Sequence, residues 1–274
     1  ASLPGGDPLA AALAAGETPS PEMVAAAGGE SATLTPWAGV SWFALAAVLA
    51  VVVTALADRV SIPARIPLAK RAEVLVDRAE ELRQALGYTE PALDHASGFY
   101  YEIEYLAWAG KHGSGEAHWP ELAEGRPAPM RFWYRTSPRV LVPTSSASSR
   151  GLTDPPFGVT GMTIVQLDTK GRLLSFEAMP REIDPAASLP APTVDWSSVM
   201  AAAGLDPATF TEVTPGRTPR TFADARHAWR GLLPGTTFTV TVETASYRGR
   251  PVSFEIVGPW TSASRDPGAE VVED

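Results

Sequence analysis

Apolar positions along the chain change their spacing twice. Residues 37–57 form a run of 21, WAGVSWFALAAVLAVVVTALA, with no charged residue. As a helix rising ~1.5 Å per residue the run would be about 31 Å long, close to the hydrocarbon thickness of a bilayer. Trp37 and Trp42 stand at its start, where aromatic rings favour the membrane interface, and Asp58 and Arg59 close it. It is expected to be a single transmembrane helix; the competing reading is a buried helix of a soluble domain. A signal peptide fits less well: the run starts late, follows no Lys or Arg, and exceeds a typical signal core. Residues 1–36 carry few large apolar side chains and are broken by Gly-Gly, Asp-Pro and Ser-Pro. They bury too little to offset backbone entropy. They are expected to be a largely disordered juxtamembrane linker, with helical turns allowed at 8–15 and 21–27.

After a Pro-containing spacer at 58–67 the periodicity becomes that of a folded domain. Leu68, Leu75, Ala79, Leu82 and Leu86 share one face of a helix expected over 68–86, with charged residues on the rest and Gly87 as its stop. A strand at 99–104 running into a helix at 105–109 is expected next. Residues 130–136 alternate, and 139–143 could form a second strand. Residues 160–167, the turn 168–171 and 172–178 form a hairpin; 236–245, a turn around 247–250 and 252–257 form another. Between them, 195–204 is a short helix capped by Asp195 and stopped by Gly204, Asp206-Pro207 starts a further turn, and 222–231 is expected to be a second short helix capped by Thr221. Residues 266–274 are expected to be a mobile tail. The hairpins share text: GRLLSFE (171–177) matches GRPVSFE (249–255) at five of seven positions, 78 residues apart. The expected fold class is α+β: one transmembrane helix, then a domain over 68–265 of antiparallel hairpins and short helices, arranged as two related α-β-β units.

Composition narrows the chemistry. The 274 residues contain no Cys, which removes disulfides, thiolate metal sites and Cys nucleophiles. A net charge of −9 argues against nucleic acid as a partner. The first residue is Ala1, so the chain is expected to be a fragment or a processed product. His112, Glu116 and His118 cluster in sequence, but their spacing matches no familiar metal site; no metal or cofactor is expected. Glu177 and Glu255 sit at equivalent hairpin positions and would suit acid–base work only across a cleft; alternation with Phe176 and Phe254 places them on the outer side of a half-buried sheet. No P-loop and no Gly-x-Ser-x-Gly elbow is present. Catalytic residues are therefore not assigned. The ligand-contact candidates are Arg248 and Arg250 near a hairpin tip and Trp133 among the tryptophans, most of which are expected to pack in cores.

A resemblance adds a parent class. Residues 1–28, ASLPGGDPLAAALAAGETPSPEMVAAAG, resemble the stretch that closes and follows the catalytic domain in a group of bacterial membrane-anchored serine/threonine protein kinases. The similarity continues in ADR (57–59), LGYTEP (86–91), FWYR (132–135), GMTIVQLD with GRLLSFEAMP (161–180), AAGLDP (202–207) and SYRGRPVSFEIVGPW (246–260). No kinase Gly-rich loop, strand Lys motif, HRD loop or DFG occurs, so this chain itself is not expected to be an enzyme. The resemblance implies a membrane-anchored regulatory or sensor region, with membrane lipid, an upstream kinase domain and an unidentified ligand or protein as partners. The alternative is a membrane-tethered binding or scaffolding protein without a signalling role; a hydrolase without familiar motifs is the least favoured reading. Topology carries a conflict. The resemblance places residues 58–274 outside the cytoplasm, whereas Arg59, Arg65, Lys70 and Arg71 directly after the run favour the inside. The outside placement is preferred, because a folded upstream kinase is not readily exported.

Overall fold

A computed structural model gives the architecture. It describes residues 15–16, 18, 20, 36–60, 68–112, 125–145, 150–183, 192–263 and 265–266, without the side chains of 36 and 56–60. The chain divides into two compact units, Ala1–Ser61 and Ile62–Asp274. The expected helical turns at 8–15 and 21–27, the spacer at 61–67 and most of the tail lie outside the described residues.

Among the described residues, the first unit contributes one helix, α1 (Pro36–Val60). It is long and apolar enough to cross a membrane over Trp37–Ala55, and none of that window is buried. Asp58 and Arg59 end the apolar run but not the helix, which continues to Val60. Its two hydroxyl groups are satisfied locally: Ser41 donates to the Trp37 carbonyl and Thr54 to the Ala50 carbonyl, each at 2.8 Å. A helix that closes its own polar groups in this way suits an apolar surrounding.

The second unit is an α+β domain built on one antiparallel sheet of eight strands. In chain order its elements are α2 (Ala72–Ala85), β1 (Asp94–Tyr101), α3 (Ile103–His112), β2 (Met130–Ser137), β3 (Thr163–Asp168), β4 (Leu173–Ala178), α4 (Trp196–Ala202), a 3₁₀ turn (Pro207–Thr209), β5 (Thr211–Val213), β6 (Ala225–Leu232), β7 (Thr239–Tyr247) and β8 (Arg250–Val257). The sheet order is β1-β2-β3-β4-β8-β7-β6-β5. Each half opens with a helix and contributes four consecutive antiparallel strands, with α3 inserted between β1 and β2 in the first half, and is larger than the α-β-β unit expected from the hairpins.

Three expectations are corrected. Residues 222–231 lie largely in strand β6, not a helix. Their apolar and small residues fit period 2 as well as period 3.6, and pairing with β5 and β7 decides between them. Residues 139–143 form no strand; the Leu141 N–H is instead held by the Asp94 carboxylate. Leu68 is exposed and precedes α2, whose buried face is Leu75, Ala79, Leu82 and Arg83.

The halves meet where β4 pairs with β8. Phe176 stands opposite Phe254, Ser175 opposite Glu255, and Glu177 opposite Ser253. The tripeptide Ser-Phe-Glu thus pairs with its own repeat, as two identical surfaces would across a two-fold axis. The symmetry extends to the helices. α2 ends with the Gly87 N–H bonded to the Gln84 carbonyl and the Tyr88 N–H to the Arg83 carbonyl; α4 ends with Gly204 bonded to Ala201 and Leu205 to Met200. These are matching Schellman caps, each with its glycine at positive φ, +88° and +66°. Both helices lie on the sheet face that carries Phe176 and Phe254, and one core joins Leu75, Leu82, Phe132, Val165, Val199, Met200 and Val242 to them.

Phe176 and Phe254 are fully buried on the axis. Phe254→Ala is expected to cost about 3–5 kcal/mol. Ser253→Ala beside it should change stability by less than about 0.5 kcal/mol. Urea unfolding followed by tryptophan fluorescence measures both; similar small losses for the two variants would contradict the axial packing.

Candidate functional site

The β7–β8 turn, the β2 and β4 ends and the link from α2 to β1 converge at one end of the sheet. They enclose a pocket of about 320 Å³, within the ordinary range for small-molecule sites. Arg248 and Arg250, expected as ligand contacts, line it together with Arg83 and Arg181. Glu90 is the one carboxylate among the described lining residues, and Tyr88, Tyr247, Pro91, Pro138, Met179, Pro180 and Val252 supply apolar surface.

The turn fixes the arginines. Tyr247 pairs with Arg250, leaving Arg248 and Gly249 as a two-residue loop with φ of +55° and +73°. Two successive positive φ values meet the requirement of a type I′ hairpin. The Arg248 N–H donates to an Asp224 carboxylate oxygen at 2.8 Å. A Cβ on Gly249 would lie 2.4 Å from the Pro192 carbonyl oxygen, so no larger residue fits there without a shift. Arg250 donates to the Gly87 carbonyl, lies 3.5 Å from the Glu90 carboxylate, and holds its guanidinium carbon 4.3 Å from the centre of the Tyr88 ring. Tyr88 in turn donates its hydroxyl to the Pro251 carbonyl at 2.7 Å. The α2 cap and the β8 strand thus brace each other through one cation–π contact and two hydrogen bonds.

Charge inside the pocket is unevenly compensated. Arg83 makes a two-point contact with Glu80 at 2.6 and 2.8 Å, which holds the Glu80 carboxyl below its usual pKa. The Glu90 carboxyl is lowered first by its own backbone N–H and then by Arg250 and Arg181. Burial pushes the Tyr88 phenol up to about 12. Its guanidinium groups and hydroxyls are donors that an anionic or polar ligand group could meet.

Trp133 is not part of this pocket. It lies buried against Gly98 on the opposite sheet face, where a Cβ on Gly98 would come within 3.0 Å of its indole nitrogen. Glu177 and Glu255 are neighbours on that face, not partners across a cleft: the register sets them beside Ser253 and Ser175, with Glu243 opposite Glu255. Burial raises the pKa of both Glu177 and Glu243. His112 stacks on Trp108 at the end of α3; Glu116 and His118 lie outside the described residues, among which no group of three or more metal-ligating side chains occurs. Arg83, Arg181, Tyr88 and Glu90 were not anticipated. The matching helix ends at Gly87 and Gly204 carried a signal for two of them, because each places a buried residue and then an acid beside a duplicated hairpin.

The neutral Tyr88 phenol contributes stability that is full below about pH 10 and falls as the pH rises toward 12, because the unfolded chain ionises first. Ultraviolet titration of the six tyrosines should therefore show late-titrating phenols, one of which disappears in Tyr88→Phe. An unchanged titration curve for that variant would contradict the burial.

Comparison with protein-family models, curated proteins and solved structures finds no match to this chain.

Proposed function

We propose that the chain is the membrane-anchored regulatory or sensor region of a bacterial serine/threonine protein kinase, without the catalytic domain. The observation that carries this reading is the pairing of an unburied, span-length apolar helix with a separate domain that holds a ligand-sized pocket. The resemblance of residues 1–28 and of the later motifs to kinase-associated sequence supplies the parent class. In this reading α1 is the anchor, residues 58–274 lie outside the cytoplasm, and occupancy of the pocket biases the kinase across the membrane. A shift in kinase activity requires the ligand to bind one state of the receptor better than the other.

Two measurements test it. Alkaline phosphatase fused after Asp266 should be active, and a fluorescent protein that folds only in the cytoplasm should be dark there; the reverse pattern overturns the placement and agrees with the arginines after the run. In membranes holding the parent kinase, deletion of residues 68–266 or filling of the pocket by Ala92→Trp should change autophosphorylation by roughly fivefold or more. Unchanged autophosphorylation in both, with correct insertion, would leave the tethered binding protein as the better description.

A further inference from the structure

The internal two-fold axis gives the molecule two equivalent arginine sites, one at each end of the sheet. In each, the arginine that follows the glycine of a hairpin turn reaches toward the capped end of a helix: Arg172 near Gly204 of α4, and Arg250 at Gly87 of α2. The first site is closed from within. Across its turn stands Asp168, fully buried, which pairs with Arg172 and accepts the Lys170 and Arg172 N–H groups at 2.9 Å each. Trp260, from the segment after β8, covers it. Arg126 fills it and donates to the Ala203 and Gly204 carbonyls at 2.8 and 3.0 Å. About 30 Å³ of space is left.

The second site keeps the arginine, with Glu90 at 3.5 Å as its acid, and lacks the buried cross-turn acid and the filling side chains of the first. Across the turn from Arg250 stands Tyr247 in place of an acid. The segment after β4 brings Met179, Pro180 and Arg181 in place of a tryptophan, and the hollow is about 320 Å³. Four arginines face it against Glu90, with Glu80 compensating Arg83 from behind, in a chain whose net charge is −9. Arg248 occupies a left-handed position that glycine or asparagine would take with less strain, and an arginine held there argues for a role of its side chain. The Arg250 Nε is buried and makes no hydrogen bond.

We infer that this pocket binds a small amphiphile with an oxyanion head group, a phosphate or carboxylate, whose apolar body lies on the proline and tyrosine surface while the head meets Arg248, Arg250 and Arg181. The inference rests on the sensor reading of the same pocket and names the class of ligand that reading leaves open. Arginine suits the task because its planar fork matches an oxyanion at two points. The closed twin shows what the site becomes when an acid and an internal side chain take the ligand's place.

The test uses the full chain in nanodiscs of zwitterionic lipid, with empty nanodiscs as the blank. Calorimetric titration compares 2-naphthyl phosphate with neutral 2-naphthol, and, as a soluble lipid head group, dihexanoyl phosphatidate with dihexanoyl glycerol. Each anion should bind about tenfold or more tightly than its neutral counterpart; the tighter of the two anions identifies a free or a lipid source. The double variant Arg248→Asn, Arg181→Gln should lose about tenfold or more for the anions and leave the neutral probes unchanged. Arg248→Asn relieves backbone strain, so a loss cannot be assigned to misfolding when thermal unfolding is unchanged or later. Equal binding of naphthol and naphthyl phosphate, insensitive to the double variant, overturns the anionic ligand while leaving a ligand-binding pocket. No binding of any of the four probes overturns both.

Discussion

Everything in the folded domain is referred to the contact between β4 and β8. There Phe176 meets Phe254, and the serine and glutamate on either side pair with each other's repeat. Antiparallel pairing of two like strands generates a two-fold axis by geometry alone, and that axis then sets the rest. It places a four-stranded meander on each side, puts both helices on the phenylalanine face, and carries each hairpin tip toward the end of the other half's helix. A one-residue slip at this seam would put Phe176 and Phe254 on opposite faces of the sheet, so the register is held by the burial it permits.

Symmetry makes the departures informative. Both ends of the sheet have a Schellman-capped helix and an arginine that follows a turn glycine. At one end the chain neutralises the arginine with Asp168 and fills the space with Arg126 and Trp260. At the other it leaves the space open and adds Arg181 and Arg248. Four arginines around a partly apolar hollow, with Glu90 beside Arg250 and Glu80 behind Arg83, concentrate positive charge where hydration is reduced. A ligand of opposite charge offsets that charge when it binds.

Part of this was legible in the sequence. The repeated Gly-Arg-x-x-Ser-Phe-Glu text announced the duplication, residues 37–57 announced α1, and Arg248 and Arg250 were marked by their place at a hairpin tip. The Asp195 cap and the Gly204 stop fixed α4 to within a residue at either end. What sequence could not show follows from long-range pairing. β6 reads equally well as a helix until β5 and β7 flank it, and β5 has three residues, too few for any periodicity. Trp133 resembles a surface aromatic in a strand of alternating charge, yet its partner is the missing side chain of Gly98 on the neighbouring strand. Arg83 belongs by spacing to the charged face of α2, and is buried because Glu80 turns toward it and the pocket lies beside it.

The central claim is that one of two equivalent arginine sites is closed by the chain itself and the other is open to an anion. The most direct measurement is nuclear magnetic resonance of the arginine Nε–H groups in the full chain, during titration with 2-naphthyl phosphate. The account predicts that the Arg250 signal moves in a saturable way while the Arg172 signal, locked to Asp168, stays in place. Movement of Arg172 with Arg250 unmoved, or equal small drifts of both, would contradict it.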